Sequence, residues 1–144
     1  MVDALRSTSA AELALQPSAA ELTRFARDDE LPRITIDVSA RTGDPVPPVG
    51  AAIYRIAQES ITNALRHARQ PSEIAVAVDG DGDWMRLSIT DDGEARVSGR
   101  DFGGFGLIGI RERAKLLGGR LEAGPVNGRG WRVEAVLPRL GAAR

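Results

Sequence analysis

An α/β sandwich, a mixed sheet carrying its helices on one face, is the fold class this sequence predicts, and three observations point to it. A long amphipathic helix pattern runs from Val49 to Ala68, alternating strand-like segments lie on both sides of it, and Asp-Gly steps and a Gly-Gly pair mark the boundaries between segments. With 144 residues, 42% of them hydrophobic, the chain has material for one core.

Taken in order, the Ala- and Ser-rich start has no sustained period, and Pro17 then opens a predicted helix from Ser18 to Glu30 with Leu22, Phe25 and Ala26 on one side. Arg33 to Val38 alternates Ile34, Ile36 and Val38 with polar residues, as a half-buried strand does, and Gly43 to Pro48 is a proline-rich connection. In the long helix, Val49, Ala52, Ile53, Ile56, Ala57, Ile61, Ala64, Leu65 and Ala68 recur at the three-four spacing of a packed face. Two strands follow, Glu73 to Val78 and Met85 to Thr90, joined through Asp79-Gly80-Asp81-Gly82-Asp83, whose Asp-Gly steps suit a tight hairpin. A polar, glycine-rich loop leads to a helix from Leu107 to Leu117 that stops at Gly118-Gly119. Strands from Arg120 to Ala123 and from Trp131 to Leu137 complete the sheet.

Composition excludes several classes. The 19 basic and 20 acidic side chains leave a formal charge of −1, which provides no field for holding a nucleic acid. The absence of cysteine removes disulfides and thiolate metal sites. No apolar run approaches the length of a bilayer span, and the opening MVDALRSTSAAELALQ lacks the pattern of a signal peptide. A cytoplasmic domain with no membrane contact of its own is the expectation, whatever anchors its parent.

Three groups of residues can carry chemistry. On the long helix, Glu59, Asn63 and Arg66 fall within about 60° of one another and are expected opposite the apolar stripe. An interior Asn is a mediocre helix former, so an Asn one turn beyond a Glu invites a reason. An amide oxygen suits Mg²⁺ and a neighbouring carboxylate can orient a nucleophile; a solvated face with a Glu/Arg pair is the plain alternative. His67, the only histidine, rules out any mechanism needing two imidazoles. At a strand end, Asp91-Asp92-Gly93 is either an ordinary Asx turn or a site where a carboxylate accepts from an exocyclic amine and Gly admits a flat ring. Finally, Gly103-Gly104-Phe105-Gly106-Leu107 precedes a helix, where free N–H groups and the helix dipole favour an anion. Gly104 to Gly109 also spells GxGxxG, but the preceding strand ends near Thr90 and Glu122 comes too early for a dinucleotide fold; the GxxxxGK[ST] pattern is absent.

The segment YRIAQESITNALRHA resembles the N box of the ATPase superfamily shared by gyrase, a heat-shock chaperone, histidine kinases and the mismatch-repair protein MutL. The resemblance implies Glu59 as the polarising carboxylate, Asn63 as the Mg²⁺ ligand, and Arg66 and His67 near the phosphates of ATP. Asp91-Asp92-Gly93 resembles the first glycine box, which implies that Asp91 receives the adenine amine beside Gly93; position 95 is Ala where that box has a second Gly. The run GFGLIGIRERAKLLGGRLEAGPVNGRGWRVEAVLP is similar to the later glycine boxes of sensor kinases paired with LuxR-type response regulators, with Ile110 where Met is usual and Trp131 where Thr is usual. It implies nucleotide contacts at Gly104, Gly106, Leu107 and Gly130, and Glu94 to Gly103 as an ATP lid.

By that resemblance the fold is the Bergerat-type ATPase sandwich. Residues 1–30 are a linker and helix from a preceding dimerisation and phosphoacceptor region, 31–140 the ATP-binding catalytic domain, and 141–144 a tail. The expected activity is transfer of the ATP γ-phosphate to a histidine on the separate dimerisation domain, with ATP and Mg²⁺ as cofactors and a response regulator downstream. An anti-sigma-factor-type serine kinase or another ATPase of the superfamily, and a docking module without catalysis, share the fold. The GLIGIRERAKLLGG run favours the sensor kinase over the serine kinase, and the presence of both Glu59 and Asn63 speaks against a module that has lost catalysis.

Overall fold

The computed structural model describes residues 17–94, 104–127 and 129–141. Its elements are β1 (Arg33–Val38), α1 (Pro47–His67), β2 (Glu73–Asp81), β3 (Trp84–Asp91), α2 (Gly104–Leu116), β4 (Arg120–Pro125) and β5 (Trp131–Pro138), with short 3-10 turns at Ala19–Phe25 and Ala40–Thr42. The sheet runs β1-β2-β3-β5-β4. β1 lies parallel to β2 and every other pair is antiparallel, so the sheet is mixed, as expected.

Alternation along the strands builds the core. Ile74, Val76 and Val78 of β2, Met85, Leu87 and Ile89 of β3, and Val133, Ala135 and Leu137 of β5 are buried, each separated from the next by a less buried residue or, at Val136, by one at the edge of burial. Against them pack Val49, Ile53, Ile56 and Ile61 of α1 and Ile110 and Ala114 of α2. Each large aliphatic side chain removed from water this way contributes roughly 1.5–3 kcal/mol.

Four expectations need correction. The first helix is only a 3-10 turn, Ala19–Phe25, because the chain then bonds to β1 instead: Arg27 and Ile34 exchange backbone hydrogen bonds of 3.0 and 2.9 Å. That bridge covers the edge of the sheet. The long helix begins two residues early, at Pro47, since proline in the first turn loses no hydrogen bond and its φ is already helical. Leu65 is 44% exposed: nine residues beyond Ile56 at about 100° per residue, it points away from the sheet. The hairpin is tighter than expected, because Asp79, Gly80 and Asp81 pair with Arg86, Met85 and Trp84 and leave only Gly82 (φ +63°) and Asp83 in the turn.

Both ends of the described fold meet at the start of α1. A Cβ on Gly50 would stand 3.5 Å from the Ser18 Cβ, and one on Gly141 would stand 3.8 and 3.9 Å from Val49 and Val46. Val46 also donates to the Arg139 carbonyl at 3.2 Å.

Candidate functional site

The C-terminal half of α1 carries Glu59, Asn63, Arg66 and His67. Glu59 and Asn63 are half-buried while Arg66 and His67 are exposed. The polar line therefore does not stand opposite the apolar stripe. Asn63 comes seven residues after Ile56, so at about 100° per residue it lies within some 20° of a fully buried side chain, and Glu59 flanks the same edge. Both residues sit at the margin of the core; a solvated face would leave both exposed.

The turn after β3 is tied to this helix. Alternation sends Asp91 toward the helices, where it is 4% exposed and its Oδ1 accepts from the Gly93 N–H at 2.9 Å. Glu94 N–H donates to the Arg69 carbonyl at 2.9 Å, just past the end of α1. A Cβ on Gly93 would meet that same carbonyl at 3.1 Å and Ala68 Cβ at 3.2 Å, so the space glycine leaves is filled by the chain itself. Gly130 closes the arrangement from the other side: its N–H donates to the Gly93 carbonyl at 2.9 Å, and its φ is +79°. Thus Asp91, Gly93 and Gly130, from two distant segments, are brought together at the C-terminal end of the helix that bears Glu59 and Asn63.

Gly104 and Gly106 lie within α2, which starts three residues earlier than expected, with Leu107 half-buried against the core. The N–H groups of the first turn, Gly104 through Leu107, are those an α-helix leaves without intrahelical partners. Of the expected lid, only Glu94 falls within the described residues; Ala95 and the rest, to Gly103, lie outside them.

Two residues named in the sequence have structural roles that sequence reasoning did not assign. Asp92 faces away from Asp91 and anchors the turn: its Oδ1 accepts from the N–H groups of Ser72 and Glu73 at 2.7 and 3.0 Å, its Oδ2 accepts from the Ser72 hydroxyl, and Arg129 Nε donates to its carbonyl at 3.0 Å. Two consecutive acids at a strand end are the only local signal, since alternation must send them to opposite faces. Trp131, the other contributor, pairs with Asp91 across β3 and β5 and is 7% exposed.

Burial pushes the Asp92 carboxyl up, but the hydrogen bonds from Ser72 and from the Glu73 and Ser72 N–H groups outweigh it and hold the pKa below its ordinary 3.8. A carboxylate with a depressed folded pKa stabilises fully above its unfolded value and loses that contribution as pH falls through the folded value. Acid denaturation of the wild type should therefore steepen below pH 3.8, and Asp92→Asn should remove that component. Denaturant midpoints measured from pH 6 to pH 2 check it; parallel profiles for the two proteins would refute the clamp.

A groove of about 590 Å³ lies elsewhere, between the N-terminal half of α1 and the end of α2, lined among others by Pro48, Tyr54, Arg55, Gln58, Leu116 and Leu117. Its lining includes none of the candidate site residues, so chemistry and not concavity locates the site. Among the described residues no group of His, Cys, Asp and Glu is composed to hold a metal by itself. No described helix is long and apolar enough to cross a membrane.

Residues 49–141 match the family described as histidine kinase-, DNA gyrase B-, and HSP90-like ATPase. The sensor histidine kinase YxjM of Bacillus subtilis is 38% identical over 108 residues, covering 74% of this chain and 26% of that protein. The signal transduction histidine-protein kinase/phosphatase UhpB of Salmonella typhimurium is 36% identical over 89 residues, covering 60% of this chain and 17% of that protein. The histidine kinase domain of the Erythrobacter litoralis EL346 blue-light activated histidine kinase superposes with a TM-score of 0.61 at 23% identity, covering 83% of this chain and 60% of that one, a likeness of fold. The chain spans between 16% and 28% of the length of the first curated relatives it matches.

Proposed function

Because the chain belongs to the histidine kinase-, DNA gyrase B-, and HSP90-like ATPase family, whose members bind ATP, we propose that it is the catalytic domain of a sensor histidine kinase, passing the γ-phosphate of ATP to a histidine on another domain. The observation that carries the reading is that a half-buried Glu59/Asn63 pair lies in the same half of α1 whose end is tied to the Asp91-Gly93-Gly130 cluster. Relatives named as a sensor histidine kinase and as signal transduction histidine-protein kinases support it over the anti-sigma-factor serine kinase and over a docking module. The partners that follow are the phosphoacceptor dimerisation domain, toward which residues 1–30 lead, and a response regulator of the LuxR-type class. The domain works in the cytoplasm, whether or not its parent is anchored in a membrane.

Mg²⁺ fits the donor set. Asn63 offers one amide oxygen at a partly water-excluded edge, and Mg²⁺ characteristically takes one or two protein oxygens while keeping waters and phosphate oxygens. Once bound it neutralises charge on the phosphates. The chain's own residues do the rest. Asp91 accepts the adenine amine, the first-turn N–H groups from Gly104 to Leu107 face phosphate oxygens, and Arg66 and His67 stand exposed beside them. Glu59 orients the incoming imidazole and takes up its proton, so that it attacks in line.

Asn63→Ala should shrink the Mg²⁺-dependent part of ATP affinity and leave metal-free binding nearly unchanged. Calorimetry with and without Mg²⁺ tests it, and identical metal dependence in the two proteins would sink the assignment. Base choice is a second test. Guanine presents an acceptor where adenine has its amine, and turning an acceptor toward a buried carboxylate in place of a donor costs roughly 1–3 kcal/mol, so ATP should bind at least several-fold tighter than GTP. Asp91→Ala should erase the difference; equal affinities in the wild type would count against Asp91 as the reader.

A further inference from the structure

The geometry points to a docking hollow on the uncovered face of the sheet, which takes an extended acidic segment of a partner protein with one large apolar side chain at its centre. None of the nucleotide residues takes part. The helices α1 and α2 pack on the face that buries Met85, Leu87 and Ile89, so Trp84 and Arg86 of β3 project from the other. Register gathers the rest. Val136 of β5 is the direct partner of Arg86 on one side and of Arg120, in β4, on the other. With Trp84 and Asp81, themselves direct partners in the β2–β3 ladder, these residues line a hollow of about 250 Å³.

Its chemistry is that of an interface anchor. Trp84 is a large aromatic left 45% exposed, whereas Val136, on the same face, is only 8% exposed. The apolar stems of the arginines on either side of Val136 shield it and leave their guanidinium groups outermost. Tryptophan and arginine are the residues enriched where binding energy concentrates. Neither cation is spent within the fold. Arg86 stands 3.6 Å from Glu134, too long for a hydrogen bond, and no ion pair among the described residues involves Arg120.

Size and charge select the occupant. At about 250 Å³ the hollow falls below the roughly 300–1,000 Å³ of small-molecule pockets and suits one side chain of a polypeptide. Two guanidinium groups flank its floor against one carboxylate, Asp81, on the Trp84 side. Asp81, the neighbouring Glu134 and the formal charge of −1 oppose a polyphosphate chain, which leaves carboxylates as the anions. Arg86 and Arg120 lie two strand spacings apart, about 9.6 Å. In an extended segment crossing the strands, an apolar residue over Val136 has its same-side neighbours two positions away, about 6.6 Å to either side. Acidic side chains at those positions meet the two arginines.

The experiment titrates the full chain with the peptide acetyl-Glu-Ser-Phe-Ser-Glu-amide, following tryptophan emission and binding heat. Binding should move the emission to the blue, saturably, as Trp84 is covered. Trp84→Phe should abolish that change, because Trp131 is already buried. By heat, Trp84→Ala should bind about tenfold more weakly and Arg120→Ala roughly three- to fivefold. Both substitutions fall at exposed positions, so the fold is not at stake. Absence of binding would overturn the inference, as would an affinity that Arg120→Ala leaves unchanged. Equal affinity for the same peptide with lysine in place of glutamate, or for pentathymidylate, would overturn the choice of an acidic polypeptide. Saturating ADP should not alter the titration, since Trp84 is on the other face of the sheet from Asp91 and seven residues, some 23 Å, along β3. Displacement of the peptide by ADP would overturn the hollow as its site, whereas failure of ADP to bind at all would overturn only the nucleotide reading.

Discussion

Glu59→Ala should lower phosphoryl transfer by about 10²- to 10⁴-fold, the range over which a positioned acid–base group acts, while leaving ATP affinity close to that of the wild type. The assay must supply what this chain does not contain. Its only histidine, His67, is the last residue of α1, one turn beyond Asn63. On the proposed reading α1 flanks the triphosphate, and a side chain there cannot reach the far side of the γ-phosphorus for in-line attack. Incubated with γ-labelled ATP, the chain alone should bind nucleotide and take up essentially no phosphate. The helical phosphoacceptor domain, added in trans at concentrations high enough to replace a covalent tether, should become labelled in an acid-labile bond. Acid-labile label on His67 of the lone chain would overturn this picture, and undiminished transfer by Glu59→Ala would remove Glu59 from the chemistry.

Gly130→Ala should cost about 2–4 kcal/mol of stability and weaken nucleotide binding along with it. Two penalties combine at this position. The φ of +79° lies where a Cβ crowds its own backbone, and the added atom would stand 2.2 Å from the Asp91 carbonyl oxygen, a contact with backbone that no side-chain rotation relieves. Relief requires β3 and β5 to part at the point where Asp91 is held. Gly109→Ala is the matched control: it sits in α2 with nothing within 4 Å of the new atom, so helix propensity predicts a gain of roughly 0.5–1 kcal/mol. Denaturant midpoints for the two variants should move in opposite directions. A Gly130→Ala midpoint equal to the wild type would mean that the tie between the two strands carries no strain.

What was legible from sequence followed from local periodicity. The spacing of Ile53, Ile56, Ala57, Ile61 and Ala64 defines α1, and the alternation of Met85, Leu87 and Ile89 marks β3, whose buried face Asp91 continues. The polar edge with Glu59 and Asn63 was visible too, although its angular relation to Ile56 places it at the core margin and not opposite. The misreadings come from competition that a local pattern does not record. Gly104 and Gly106 read as loop because glycine is a poor helix former, yet the first turn of a helix asks little of its residues, and α2 begins there. Arg27 read as helix but bonds to Ile34, a partner decided by the exposed edge of β1. The pairing of Trp131 with Asp91 depends on the register of strands separated by the whole of α2 and β4, which no window along the chain contains.

Ser18 and Gly141 both border the start of α1, so a displacement of either end of the described fold would act on that helix as on the short arm of a lever. Its fulcrum is near Gly50, where both ends of the described fold converge, and its working end is the N-box half. At 1.5 Å of rise per residue, Glu59 lies about 14 Å and Asn63 about 20 Å along the arm. A rigid swing about the fulcrum therefore sweeps Asn63 through an arc about 1.4 times that of Glu59, in proportion to their distances from it. Because Gly93 and Glu94 rest on Ala68 and Arg69 just beyond the far end of the same helix, such a swing would carry the turn that Asp92 anchors along with Glu59 and Asn63.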